Sequence, residues 1–113
     1  MPEISLQAYE EEVNEPRYLD AYYLLGKTML EADLPEVAID VFRRALSADP
    51  EHLMSRIGLG LAHERRDDLD AAIWNLERAL ELDPGNADIA DELRRMYGRR
   101  DGTEPEYIPQ TRA

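Results

Sequence analysis

The chain contains no cysteine among its 113 residues. It can therefore form no disulfide, no thiolate nucleophile and no thiolate metal site. It also lacks any apolar run near the roughly 18 residues that a membrane helix needs. The opening Met-Pro-Glu has neither the basic flank nor the apolar stretch of a signal peptide. We therefore expect a cytoplasmic protein that does not enter a membrane.

Basic residues are scarce, with 13 against 25 acidic residues and a formal net charge of −12. Lys27 is the single lysine, and the other basic residues are arginines. Residues 1–16 are the most acidic part, with glutamates but no basic residue. The electrostatic field of so negative a chain repels phosphate groups. The composition therefore argues against nucleic acid and anionic membranes as partners.

The sequence offers little for catalysis. His52 and His63 are the only histidines, and no Gly-rich phosphate loop, serine elbow or His-x3-His pair is present. Asp67-Asp68-x-Asp70 lacks the glycine and the distal glutamate of a calcium loop, and we interpret it as helix capping. We therefore predict that the protein is not an enzyme and has no cofactor and no metal site.

The chain does contain a copy of itself, displaced by 34 residues without a gap. Seven residues of the first copy recur in the second, in the following pairs: Leu25 and Leu59, Gly26 and Gly60, Ala38 and Ala72, Ala45 and Ala79, Leu46 and Leu80, Asp49 and Asp83, Pro50 and Pro84. A period of this length is typical of stacked helix pairs, in which each repeat buries its apolar face against its neighbours.

Apolar spacing and turn residues predict five helices, over about 17–32, 35–48, 51–65, 69–82 and 87–98. Pro35 suits the first turn of the second helix, Asp67 or Asp68 suits the N-cap of the fourth, and Gly98 is expected to end the fifth. Residues 99–113 contain glycine and prolines without a helical stripe, which predicts an extended or disordered tail.

Residues 1–16 form an acidic segment with loosely helical apolar spacing at Ile4, Ala8, Tyr9 and Val13. Pro16 lies one further 34-residue step before Pro50. That spacing is consistent with a short helix that is a remnant of a preceding repeat. The domain plan is thus an N-terminal segment 1–16, a repeat domain 17–98 and a tail 99–113.

Both copies resemble tetratricopeptide repeats, whose pattern is large-x2-Leu-Gly-x2-aromatic, then Ala-x3-Phe, Ala and Pro. The residues that carry the resemblance are Tyr22, Leu25, Gly26, Met29, Ala38, Phe42, Ala45 and Pro50, then Arg56, Leu59, Gly60, His63, Ala72, Leu76, Ala79 and Pro84, and finally Ala90, Leu93 and Tyr97. The resemblance covers 19–98. It implies an all-α, right-handed α-solenoid of antiparallel helix pairs, with repeats at about 19–52 and 53–86 and a capping helix at 87–98.

Three residues depart from the family pattern. Arg56 and His63 stand where a large apolar and an aromatic residue are favoured, and Arg94 stands where glycine is expected. We expect the first two to make the packing of their helix less regular. Arg94 predicts that the fifth helix has no close second-helix partner. Because small residues let the helices approach closely, Gly60→Leu or Ala72→Leu should cost several kcal/mol through overpacking.

The resemblance implies a function in protein–protein interaction, because in this family the first helices of the repeats line a concave groove that binds peptides. The groove residues predicted on this basis are Tyr23, Lys27, Leu30, Met54, Ile57, Leu61, Arg65, Asp91 and Arg95. The groove lacks asparagine, and apolar residues stand where a clamp for a peptide carboxylate needs polar ones, so we do not expect such a clamp there.

The helix that contains Met54, Ile57 and Leu61 is apolar on nearly all sides, so an apolar patch should remain after internal packing. The sequence leaves three alternatives for this patch. The first is that it binds a helix or peptide of a partner, the second that residues 1–16 or the tail cover it, and the third that it serves self-association. The chain could also be the N-terminal piece of a longer array, in which case the patch is an internal surface.

Overall fold

The computed structural model describes residues 18–102, and these residues form helices joined by short turns. The helices are α1 (Leu19–Glu31), α2 (Pro35–Ala48), α3 (Leu53–Arg65), α4 (Leu69–Leu82) and α5 (Ala87–Asp101). The described part is therefore all-α, as predicted. The expectations for residues 1–16, and for the tail beyond Gly102, lie outside the described residues.

The end of α5 corrects one prediction. Gly98 does not end the helix but is buried within it, and the helix continues to Asp101. Gly102 follows in the left-handed conformation, with φ of 75°, as is usual after a helix C-terminus. Arg99, within the additional turn, pairs with Glu64 of α3 at 2.7 Å. This tertiary contact offsets the helix-breaking tendency of glycine, which is about 1 kcal/mol.

The turns inside the two helix pairs share one geometry. Asp33 and Asp67 both have positive φ, 63° and 61°. In each turn the next amide donates to a carbonyl five residues back, from Leu34 to Met29 and from Asp68 to His63. This is a Schellman ending with aspartate at the position usually held by glycine, since aspartate tolerates the left-handed region better than most residues do.

Side-chain caps fix the starts of the last three helices. His52 Nδ1 accepts from the Ser55 amide, Asp68 accepts from Ala71 and Asn86 accepts from Ile89. The predicted cap of α4 is thus Asp68, while Asp67 forms the turn before it. His52 itself is half-buried.

Each helix packs on the next one along the chain, and α1 also contacts α3. Because the connections are short, helices that follow one another along the chain run antiparallel. Two core clusters result. One is built from α2 and α3 around Phe42 and Leu59, and the other from α4 and α5 around Leu76 and Met96. The right-handed sense of the stack stays a prediction.

The Phe42 ring of α2 packs closely on both α1 and α3. A Cβ added at Gly26 of α1 would lie 2.6 Å from its ring, and one added at Gly58 of α3 would lie 2.5 Å from it. At Gly60, the equivalent of Gly26, the nearest atom belongs to Leu76 at 3.0 Å. The glycines therefore do set the helix approach, but the tightest one, Gly58, was not among those predicted.

Two large apolar residues of the first helix pair are exposed. Leu25 is 47% accessible and Val37 45%. Leu59, the repeat equivalent of Leu25, is 5% accessible because it packs against α2. Within residues 18–102 no helix precedes α1, so Leu25 has no corresponding surface to pack on.

Candidate functional site

The predicted groove residues of the two repeats meet at one cavity of about 260 Å³ between α1 and α3. Seven of the nine line it: Tyr23, Lys27, Leu30, Met54, Ile57, Leu61 and Arg65. Glu31, Phe42 and Gly58 complete the wall. We call this cavity the α1–α3 groove. Its formation follows from the helical register, which brings positions three and four residues apart onto one face of each helix.

The groove is apolar but less exposed than the sequence predicts. Ile57 and Leu61 are half-buried because they also pack against the α4–α5 core. Tyr23 and Leu30 are half-buried against the other core. Met54 is 47% accessible and forms the most open part of the apolar lining.

Two basic side chains, Lys27 and Arg65, lie at the rim of the groove. Lys27 is exposed and forms no ion pair within residues 18–102. Arg65 Nη1 lies 3.4 Å from an Asp33 carboxylate oxygen and 3.4 Å from the Leu30 carbonyl oxygen. Glu31 adds one acidic group. The groove thus combines an apolar interior with a rim cation that has no carboxylate partner in the described part of the chain.

The structure does not bring Asp91 and Arg95 to this groove. Asp91 pairs with Arg94 on its own helix at 2.8 Å. Arg95 Nη1 donates to Glu64 Oε2 at 2.6 Å, and Arg95 also pairs with Glu92. Arg95 therefore connects α5 to α3.

Glu64 is the centre of this contact. Its side chain is 14% accessible and receives hydrogen bonds from Arg95 and Arg99. Burial raises the pKa of Glu64, but the hydrogen bonds and the charges of the two arginines together outweigh burial and leave the pKa below its ordinary value. The hydrogen bond to Glu64 is also the main reason that the pKa of Arg95 is raised. The pair thus stays ionised and holds the fifth helix on the stack.

A second and larger recess was not predicted. It measures about 670 Å³, lies between α2 and α4 with α3 beneath, and is lined by Arg43, Leu46, Ser47, Arg56, Leu59, His63, Asp68, Ala71, Trp74 and Asn75. We call it the α2–α4 cleft. Successive residues of a helix are about 100° apart, so its α3 residues lie on the face of that helix opposite to the groove residues. Arg56 and His63, which break the family pattern, were the only sequence signal for it.

The polar groups of the cleft are incompletely paired. Arg56 donates to Asn75 and to the Pro50 carbonyl, but its Nε is buried without a hydrogen-bond partner in the described residues. His63 Nδ1 is also buried without a hydrogen-bond partner in the described residues. The nearest Asp68 oxygen lies 3.9 Å from it.

Burial also changes how these two groups titrate. Burial, and then the charge of Arg78, lower the pKa of Arg56. Burial lowers the pKa of His63, Asp68 opposes the shift, and Arg43 and Arg66 add to it. Both groups are therefore held in surroundings that disfavour their charged forms.

Within residues 18–102, no cluster of three or more histidine, aspartate or glutamate side chains is placed to hold a metal ion. In the same part of the chain, no helix has the length and apolar character to cross a membrane.

Comparison with known proteins agrees with the helix-pair architecture. A family model described as tetratricopeptide repeat matches residues 5–51 and 23–87. The chain belongs to the tetratricopeptide repeat family. Proteins of this family generally mediate protein–protein interaction.

A curated relative, the cell division cycle protein 27 homolog of Caenorhabditis elegans, is 32% identical over 72 residues. The match includes 64% of this chain and 9% of that protein. The chain thus spans about a tenth of its relative's length.

Proposed function

We propose that this chain is a binding module whose α1–α3 groove receives a peptide or helix of a partner protein. The observation that carries the proposal is the convergence of seven predicted side chains from two repeats on one apolar cavity. Binding cavities are usually concave and mostly apolar, with a few polar groups that fix orientation, and the groove has this composition. No residue of the groove is proposed to carry out catalysis.

The chemistry of the groove indicates the kind of segment that it takes. A cavity of about 260 Å³ suits one or two large apolar side chains of the kind that an amphipathic helix presents at i and i+3 or i+4. Lys27 stands exposed at the rim, so an acidic residue beside these anchors would gain an ion pair. The proposed ligand is therefore an apolar segment flanked by acid.

A selection from a random peptide library against the full chain tests this proposal. The enriched peptides should share apolar anchors with an adjacent acidic residue. Leu61→Glu, which places a charge inside the groove, and Tyr23→Arg should each abolish their binding while the helical circular dichroism is retained.

Trp74→Ala is the matched control, because Trp74 lies in the α2–α4 cleft and is 51% accessible. It should leave the selected peptides bound. The proposal fails if no peptide is enriched, or if the peptides bind Leu61→Glu as well as the parent chain.

A second candidate function is supported by the exposed face of α1 and α2. Its large apolar residues are Leu24, Leu25, Leu34 and Val37, each between 45% and 57% accessible. They occupy the repeat positions of Gly58, Leu59, Asp68 and Ala71, which in the second repeat contact α2 or line the cleft next to it. This is the face on which a preceding repeat would stack. The second candidate is therefore a structural unit that self-associates, with a second copy seated on this face.

Solution mass by light scattering separates the candidates. A dimer of the full chain that Leu25→Glu converts to monomer supports stacking, whereas a monomer at all concentrations rejects it. The family match starts at residue 5, so residues 5–16 are the competing occupant of the same face. If they cover it, the full chain is monomeric and a chain that starts at Arg17 dimerises.

A further inference from the structure

The α2–α4 cleft contains a cation that the molecule leaves uncompensated. Arg56 is half-buried, and its guanidinium contacts an amide and a backbone carbonyl but no carboxylate within residues 18–102. This is unusual in a chain with 25 acidic residues, because a desolvated charge is costly unless it is paired. Arg43, also on the cleft wall, is exposed and has no carboxylate partner in the same part of the chain.

His63 gives a second and independent indication. It is 6% accessible, it lines the cleft, and its Nδ1 is buried without a hydrogen-bond partner among the described residues. A buried polar atom of this kind destabilises the fold when it is left unpaired. Arg43 and Arg56 therefore offer donors to the recess, and His63 places a polar ring on the same wall.

Trp74 adds an aromatic surface at the same place. Its ring is 51% accessible and lies beneath two guanidinium groups, with Arg56 at 5.8 Å and Arg78 at 4.9 Å from the ring centroid. Tryptophan and arginine are the residue types most often found at the energetic centre of protein interfaces. A cleft of about 670 Å³ also has room for more than a single ion.

We propose that the α2–α4 cleft is a second binding site, which takes an acidic peptide segment of a partner protein. One carboxylate of the segment is bound by Arg43 and Arg56, beside His63 on the cleft wall, and a neighbouring apolar side chain covers Trp74. The site lies on the face of α3 opposite to the α1–α3 groove and is independent of the function proposed for that groove. The chain could then hold two segments at once.

Trp74 is the only tryptophan, so its fluorescence reports on this site alone. The probes are the synthetic peptide Glu-Glu-Phe-Glu-Glu, the same peptide with every glutamate replaced by glutamine, and inorganic phosphate, all at equal low ionic strength. The acidic peptide should change the emission of the full chain in a saturable way, and the glutamine peptide should not. Addition of salt should weaken the effect, because surface charges are screened within about 10 Å at 0.1 M.

Arg43→Gln should weaken the apparent affinity about tenfold or more, because it removes a charge-assisted hydrogen bond. Lys27→Gln is the matched control: it removes the same charge from the groove and should leave the affinity within about twofold of the parent. In proton NMR spectra the acidic peptide should move the His63 ring signals and leave those of His52 in place, since the His52 ring is already engaged by Ser55.

Four outcomes would overturn the proposal. They are an equal response to the glutamine peptide, an equal loss of affinity in Lys27→Gln and Arg43→Gln, a response to phosphate but not to the peptide, and an unchanged emission up to millimolar peptide. The third outcome would assign the cleft to a phosphoryl group instead of a carboxylate. Because Arg43 is exposed, Arg43→Gln should not compromise folding.

Discussion

The two repeats have nearly the same pattern of residues but different surroundings, and the surroundings decide what each residue does. Leu25 and Leu59 occupy the same repeat position, yet Leu25 is 47% accessible and Leu59 is 5% accessible. Leu59 packs on α2 of the preceding pair, whereas no helix within residues 18–102 precedes Leu25. In a stacked fold, a side chain thus stabilises the protein mainly through the neighbouring repeat.

Truncation of these two leucines should give the largest difference in stability between equivalent positions of the two repeats. Leu59→Ala should lower the free energy of unfolding by about 2–5 kcal/mol because it leaves a cavity in the core. Leu25→Ala should change it by no more than about 0.5 kcal/mol, as for an exposed site. Chemical denaturation followed by circular dichroism measures both. Equal losses would mean that residues outside 18–102 cover Leu25.

The glycines give a second contrast, of intermediate size. Gly58→Ala should destabilise the protein by about 1–3 kcal/mol through overpacking, because the new Cβ would lie 2.5 Å from the buried Phe42 ring. Gly60→Ala should cost less, since its nearest neighbour is Leu76 at 3.0 Å. Gly85→Ala, where a Cβ meets nothing within 4 Å, is the control. The same denaturation experiment would contradict the account if all three variants behaved alike.

The pH dependence of stability should differ between the repeats because His63 replaces the Met29 of the first one. Burial lowers the pKa of His63 in the folded state, while the unfolded chain keeps about 6.5. The unfolded state therefore binds more protons as pH falls below about 6.5, and stability is lost there. His63→Met should therefore reduce the fall in melting temperature that the parent chain shows between about pH 7.5 and 5.5. An unchanged slope would show that His63 is not its source.

The smallest effect is expected for Lys27, whose repeat equivalent is Leu61. Lys27→Leu should leave the free energy of unfolding within about 0.5 kcal/mol, because Lys27 is exposed and forms no ion pair in the described part of the chain. The same variant should lower the affinity of the α1–α3 groove for acidic ligands, as measured in a titration at low salt. A large change in stability would show that Lys27 has a structural role.

Much of the fold could be predicted from local signals. The limits of α2 and α4 follow from Pro35, from Asp68 and from the apolar stripe between each start and the next Asp-Pro, all of which act within a few residues. The end of α5 could not be predicted in this way. Gly98 is a strong local stop signal, and it is overridden by the contact between Arg99 and Glu64, which are far apart in sequence.

The same distinction between local signals and contacts distant in sequence applies to the candidate sites. The convergence of seven side chains from two repeats on one cavity could be predicted, because these residues share one face of each first helix. Arg95 does not line that cavity, and nothing local to it indicates that it would pair with Glu64. The α2–α4 cleft needs three helices to come together, so the sequence offered only the two residues that depart from the family pattern, Arg56 and His63.

The position of α3 has a further consequence, for how the protein opens. Leu59 and Ala62 of α3 belong to one core cluster, while Leu53, Ile57 and Leu61 pack against the other. Loss of α3 would therefore uncover both clusters at once, whereas α1 or α5 can detach and uncover one. Backbone amides of α3 should exchange with solvent only through global unfolding, and those at the two ends through smaller fluctuations. Cooperativity in this short array is thus concentrated in a single central helix.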